Sequence, residues 1–288
     1  MFPHAPLVVS QRGIFMQKSL AQLQSTSPKR PVRRSGNAQR FIPVLAVLML
    51  LGMWQLIAAL KIYPTFIIPP PGAVAARFYE VLLDGTLWAH TQVTLSAILA
   101  GLVIGVSVGV VLGYFIARHP LLESSLAPLI VGLQSTPIVA YAPLLVIWFG
   151  SGPTSKIVTS ALIVFFPTLL NTVVGLRSVP QPLRDLMRVQ RATPWQTFRK
   201  LEVPAAMPVL IGGLKISATL AVIGAVVGEF VSANAGLGFL ITLARSQYDT
   251  PLVIVSVITL ALIARLLYGL VALLERHVLA WQIRANRR

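Results

Sequence analysis

Six long apolar runs dominate the chain: 41–60, about 93–117, 126–150, 157–176, 205–230 and 251–274, with short polar segments between them. Each is near or above the length of about 20 residues that a helix needs to cross the hydrocarbon core. None shows the period-two alternation of a barrel strand, and backbone groups in lipid must be satisfied within the span. The pattern therefore predicts an all-α integral membrane protein with about six transmembrane helices. The first run, Phe41 to Leu60, exceeds the 7–15 apolar residues usual in a signal peptide. "KIYPTFIIPPPG" after it offers no small-residue cleavage site, so it reads as a retained helix.

The interruptions carry their own patterns. Residues 1–40 are polar and free of acid, which predicts a disordered, solvated tail, and 283–288 form a short basic tail at the other end. Between them, 61–282 make up the main membrane domain. Within "PPPGAVAARFYEVLLDGTLWAHTQ", the spacing predicts one short amphipathic helix over Ala73 to Leu83. The segment 177–204 predicts two more, Leu183 to Gln190 and Trp195 to Leu201, separated by "RATP". Pro204 and Pro208 mark the start of the next span.

Composition agrees with membrane integration. Hydrophobic residues make up 56% of the 288 positions and charged residues 11%, against about 25% in soluble domains. Mean hydropathy is +0.78. The net charge of +16 is compatible in principle with a nucleic-acid arm, but its distribution points to the membrane. With the N-terminus inside, cytoplasmic segments hold 18 Lys and Arg: seven in the tail, Arg118, six in 177–204 and four at the end. Outer segments hold four: Lys61, Arg77, Lys156 and Arg245. This asymmetry places both termini and the 177–204 loop in the cytoplasm. No Cys occurs, so disulfides, thiolate nucleophiles and Cys-based metal sites are excluded.

Several features inside the spans bear on function. Gly101, Gly105, Gly109 and Gly113 recur every fourth residue in the second span, and Gly224 and Gly228 repeat the spacing in the fifth. Such stripes let helices approach closely in lipid, either as fixed packing within a subunit or as a sliding seam. In the third span, Gln134, Ser135 and Thr136 lie among Pro128, Pro137 and Pro143. Polar residues at a helix break suit either the lining of a pathway or a kinked structural helix. Lys215, Glu229 and Arg265 are the charges within the spans, and the first and last should face protein or water at mid-membrane. Glu229, near the outer end of the fifth span, is a further pathway candidate. No His falls within the predicted spans, which leaves little material for a proton relay. "GSGPTSKIVTS" at 150–160 fails the P-loop spacing, since Ser155 precedes Lys156 and Ile157 follows it. No metal-ligand cluster, nucleophile elbow or carboxylate pair appears.

The cytoplasmic segment "SVPQPLRDLMRVQRATPWQTFRKLEVPAAMP" combines basic residues with Leu186, Met187, Trp195 and Phe198 as apolar anchors. Pattern alone fits two roles equally: a plug for a groove on a partner or a helix pair lying on anionic lipid. The segment resembles the EAA loop of permease subunits in binding-protein-dependent ABC importers, in the branch serving nitrate, taurine, sulfonates, thiamine precursors and riboflavin. Asp185 takes the Glu place of that pattern, and Ala192, Thr193, Trp195 and Phe198 follow in register, with "VPAAMPVLIGGLK" leading into the next helix. "IIPPPGAV", "STPIVAYAPLLVIWFG", "FFPTLLNTVVGLRSV" and "VVGEFVSANAGLGFLI" resemble the same branch, so the likeness covers about 60–275. The departures are Leu186 and Met187 in place of paired Ala, and Arg191 where Gly is usual, which predicts a looser turn.

The resemblance implies a type I importer permease fold and a chain that is not itself an enzyme. Two copies would line one pathway in the inner membrane of a bacterium or archaeon. Asp185, Leu186, Met187, Arg188, Arg191, Ala192, Thr193, Trp195 and Phe198 would dock on a separate ABC ATPase, which carries ATP and Mg. An extracytoplasmic solute-binding protein would deliver cargo. Membrane lipid is the remaining partner; nucleic acid is not one. Within the branch, "DLMRxxRAT" is more like permeases for riboflavin, and next for thiamine pyrimidine precursors, than for sulfonate, taurine or nitrate. The competing classes are an ion-coupled secondary transporter and a membrane scaffold.

Overall fold

A computed structural model describes residues 38–231 and 234–280, so the basic segments 1–37 and 281–288 lie outside the described residues. The chain divides between Gly52 and Met53 into two units. The first contains the N-terminal part of α1 (Ala38–Ala59), which coincides with the first predicted span. The second contains α2 (Pro71–Leu83), α3 (Thr86–Arg118), α4 (Pro120–Ser135), α5 (Ile138–Phe149) and α6 (Pro153–Arg177). It continues with α7 (Gln181–Val189), α8 (Pro194–Thr197), a π turn (Phe198–Glu202), α9 (Val203–Val231), α10 (Leu237–Ser246) and α11 (Thr250–Val278). The described residues contain no strand.

Four helical stretches are long and apolar enough to cross a membrane singly: α3, α6, α8 through α9, and α11. The third predicted span differs. It starts earlier than expected, at Pro120, and breaks at Thr136–Pro137, where α4 and α5 meet at 96°. The cause is Pro137, which disfavours helical geometry at Thr136 (φ −82°, ψ 127°). Pro128 and Pro143, by contrast, are accommodated inside their helices. The fifth span also begins earlier than expected. Pro204 does not start the span: it stands directly after the π turn Phe198–Glu202, inside a helical path that runs unbroken from Pro194 to Val231.

The core is a three-helix layer with α6 in the middle. Both glycine stripes face it. A Cβ on Gly105 would lie 2.6 Å from the Ala161 carbonyl, on Gly109 2.9 Å from Thr168 Cβ, and on Gly113 2.7 Å from Thr172 Cβ. Gly101 meets Ser160. From the other side, a Cβ on Gly224 would lie 2.6 Å from Ser160 Cα, and on Gly228 2.9 Å from Lys156 Cα. Backbones approach this closely only where the side chain is a hydrogen atom. Hydroxyls complete the seams: Ser160 Oγ donates to the Ala221 carbonyl at 3.0 Å, and Thr168 and Ser217 share a hydrogen bond of 3.0 Å. These buried polar groups stay paired, as an apolar surrounding requires.

α2 forms where predicted, with Pro71 at its first position and Val74 and Val81 turned inward. Arg77 pins it to the turn before α11 through Asp249 (2.9 Å). Trp54 Nε1 donates to the Pro69 carbonyl at 3.0 Å, fixing the proline-rich lead-in. α10 is a helix the apolar runs did not separate; it packs Leu237, Leu240 and Ala244 into the core.

Candidate functional site

The 177–204 segment folds as two short helices and a π turn below the bundle. α7 has no buried residue, and Leu183, Leu186 and Val189 are exposed along it. Asp185 bonds within the helix, to Gln181 and Arg188 at 3.2 Å each. Met187 is half-buried, while Arg188, Arg191 and Thr193 are exposed and Ala192 is half-buried.

The turn at Arg191 closes fully, contrary to the looser geometry expected there. Arg191 takes φ +51°, its N–H donates to the Arg188 carbonyl at 2.9 Å, and the Ala192 N–H reaches the Met187 carbonyl at 2.9 Å. These are the two bonds of a Schellman cap. A glycine would occupy this left-handed position without strain; Arg191 occupies it at some cost. α8 then begins in a capping box, with Gln196 N–H on Thr193 Oγ1 at 3.3 Å and Thr193 N–H on Gln196 Oε1 at 2.9 Å.

Aromatic residues tie this unit to the bundle. Trp195 stacks on Phe198 with centroids 5.5 Å apart, and Phe198 meets Tyr114 of α3 edge-on at 5.3 Å. Arg118, at the end of α3, lies 5.3 Å over the Tyr114 ring and pairs with Glu202 at 2.5 Å. Glu202 was not among the residues expected to carry function; its signal in the sequence is a lone acid at the end of a basic segment, directly before an apolar span.

The other candidates lie apart from this loop. Gln134, Ser135 and Thr136 are exposed at the α4–α5 break, and with Leu162, Phe166 and Ile223 they line a cavity of about 300 Å³. Glu229 is 2% exposed and sits inside the helix packing. It accepts from Thr94 Oγ1 at 2.8 Å and from the Gly238 N–H at 2.7 Å. Thr94 Oγ1 in turn accepts the Leu237 N–H at 2.7 Å. Lys156, placed by sequence in an outer loop, is buried in the first turn of α6 and donates to the Ala235 carbonyl at 2.8 Å. α3 begins at Thr86, earlier than predicted, so His90 lies within it; its Nδ1 accepts the Gly236 N–H at 3.0 Å. Together these groups clamp the backbone leading into α10.

Lys215 pairs with Glu275 and lies over the Tyr268 ring. Arg265 faces outward from the chain, without an ion pair among the described residues. Among the described residues there is also no group of three or more His, Asp or Glu that could hold a metal.

Comparison with known proteins places this architecture. The riboflavin transport system permease protein RibX of Chloroflexus aurantiacus is 45% identical over 267 residues, 90% of this chain and 99% of that protein. The formylaminopyrimidine transport permease protein ThiX of Halalkalibacterium halodurans is 34% identical over 244 residues, covering 85% and 97%. In solved structures, a chain of the MetNI methionine ABC transporter shares the fold with a TM-score of 0.55 at 23% identity, covering 68% of this chain and 96% of that one. Residues 109–280 match the binding-protein-dependent transport system inner membrane component family. The chain belongs to that family: it is an inner-membrane permease subunit of an ABC importer, whose ATP is hydrolysed by a separate subunit.

Proposed function

We propose that this permease carries riboflavin across the inner membrane. The observation that carries the reading is the 45% identity to a riboflavin permease over nearly its full length. A relative named for formylaminopyrimidine transport stands at 34%, and one named for aliphatic sulfonates, from Bacillus subtilis, at 31% over 254 residues. A thiamine pyrimidine precursor is therefore the second reading. The domain boundary at 61–282 and a pathway formed by two copies belong to the same proposal.

The exposed surface of α7 and α8 is the docking face for the ATPase in this reading. Leu186, Val189 and Trp195 present apolar surface, ringed by Asp185, Arg188 and Arg191, which is the composition of an interface anchor. ATP and Mg stay on the partner. The solute-binding protein meets the opposite face, near α2 and α10, and Arg199 and Lys200 are free to meet lipid headgroups.

The test is uptake of labelled riboflavin by cells expressing the permease with its neighbouring ATPase and binding protein, with formylaminopyrimidine and taurine as competitors. Saturable riboflavin uptake that unlabelled riboflavin alone suppresses is the expected result. Uptake blocked by formylaminopyrimidine, with no riboflavin accumulation, would replace the lead reading with the second.

A further inference from the structure

Glu202 is 2% exposed and ends the π turn in which α8 becomes α9. Its Oε2 accepts from Arg118 Nη2 at 2.5 Å, and its Oε1 lies 3.8 Å from Arg184 Nη1. Arg118 is the last residue of α3, and Arg184 belongs to α7. Arg184 also donates to the Leu176 carbonyl at 2.7 Å, at the end of α6. A single carboxylate thus joins the loop to the cytoplasmic ends of α3, α6 and α9. A carboxylate is retained in so dry a place only with charged partners around it. π turns of this kind recur at functional sites.

Asp185 differs in kind. Its bonds stay within α7, and it is exposed, so it shapes the outer face of the loop without linking the loop to the bundle. Glu202 has no surface left to offer a partner. The stack from Trp195 through Phe198 to Tyr114 runs beside it and ends on the same turn of α3. α3 is itself locked to α6 by the glycine stripe, so displacement of its cytoplasmic end moves a stiff helix pair.

We propose that Glu202 is a positioning residue that transmits movement of the cytoplasmic loop to α3 through Arg118, and that it acts after docking. The inference rests on the reading of the loop as the ATPase dock. Removing the charge leaves the outer face of α7 and α8 intact but lets the loop turn without carrying α3.

The absence of Cys makes a direct test available, because single labels can be placed without background. Spin labels go on Gln190→Cys, exposed in the loop turn, or on Leu112→Cys, exposed on α3, in the full permease–ATPase complex reconstituted in phosphatidylethanolamine–phosphatidylglycerol vesicles. ATP with vanadate is then added. In the parent chain both labels should respond. In Glu202→Gln the ATPase subunit should stay bound and the label at position 190 should still respond, while the response at Leu112 falls at least about fivefold, the lower end of ordinary coupling between sites. Glu202→Asp should restore it. An unchanged Leu112 response in Glu202→Gln overturns the proposal, and so does loss of ATPase binding confined to that variant. If Glu202→Gln does not accumulate, Arg118→Gln removes the same bond from the half-exposed side and must show the same split. Failure of the parent permease to hold any ATPase would sink the docking reading instead.

Discussion

Trp195 stacks on Phe198 at 5.5 Å while 65% of its own surface stays exposed. An indole held rigid from beneath and bare above is pre-ordered for contact, so little side-chain entropy is lost when a partner covers it. Trp195→Ala should weaken capture of the ATPase by about 30-fold, the loss of a hot spot worth about 2 kcal/mol. Asp185→Arg, which reverses charge on the same face, should act in the same direction. Co-purification from membranes measures both, with insertion checked by yield. Normal capture in both variants would remove the loop from the interface.

Two glycines of α9, one inside its stripe and one outside it, predict opposite effects. Gly224→Ala forces a Cβ against Ser160 Cα at 2.6 Å, and backbone cannot move aside cheaply. It should destabilise the permease by about 1–3 kcal/mol through overpacking. Gly212→Ala, in the same helix with nothing within 4 Å, should stabilise it by about 0.5–1 kcal/mol. Thermal unfolding in detergent, followed by the loss of monodisperse protein, separates the two. Equal shifts would mean that α6 and α9 do not pack as described.

Arg191 offers a test of strain in the loop. A residue other than glycine at φ +51° costs about 1–2 kcal/mol relative to the right-handed region. Arg191→Gly should therefore make the 188–192 turn more protected, and Arg191→Val, whose branched Cβ tolerates this region poorly, should fray it. Amide exchange at Ala192, the second donor of the cap, reads the effect directly. Slower exchange in the glycine variant is the expected sign, and faster exchange would show that the arginine side chain stabilises the turn.

What was legible in the sequence follows from the physics of lipid. Apolar runs must be helical there, so the helical character of the spans and the close-packing role of the glycine stripes could be read without coordinates. The α2 helix was legible because its apolar spacing stood against a polar loop. The α4–α5 angle was less so, since Pro128, Pro137 and Pro143 look alike in the chain. Only Pro137 follows a residue driven out of helical geometry, and neighbours decide that. Glu202, Lys156 and His90 were misread or missed for a common reason. Each gains its role from at least one partner 79 or more positions away, and His90 also from a helix end that shifted by several residues. Span periodicity carries no such information.

The clamp on the backbone before α10 yields the last prediction. Glu229, on α9 and buried against α3, accepts the Gly238 N–H at 2.7 Å, and Thr94 accepts the Leu237 N–H at 2.7 Å. These are the first free N–H groups of α10, so a carboxylate there satisfies donors that the helix itself cannot. Gly236, at φ +121°, lies against that carboxylate, leaving no room for a Cβ. Glu229→Gln keeps the shape but replaces a charged acceptor with a neutral one, a change of about 1.5 kcal/mol. Amide exchange at Gly238 should then speed up by about tenfold, with the α3 amides near Gly105 unaffected. Gly236→Ala should be harsher, opening the segment to proteolysis while the glycine-packed layer stays folded. If Glu229→Gln leaves Gly238 protected, the backbone before α10 is held by His90 and Lys156, and the carboxylate has a different task.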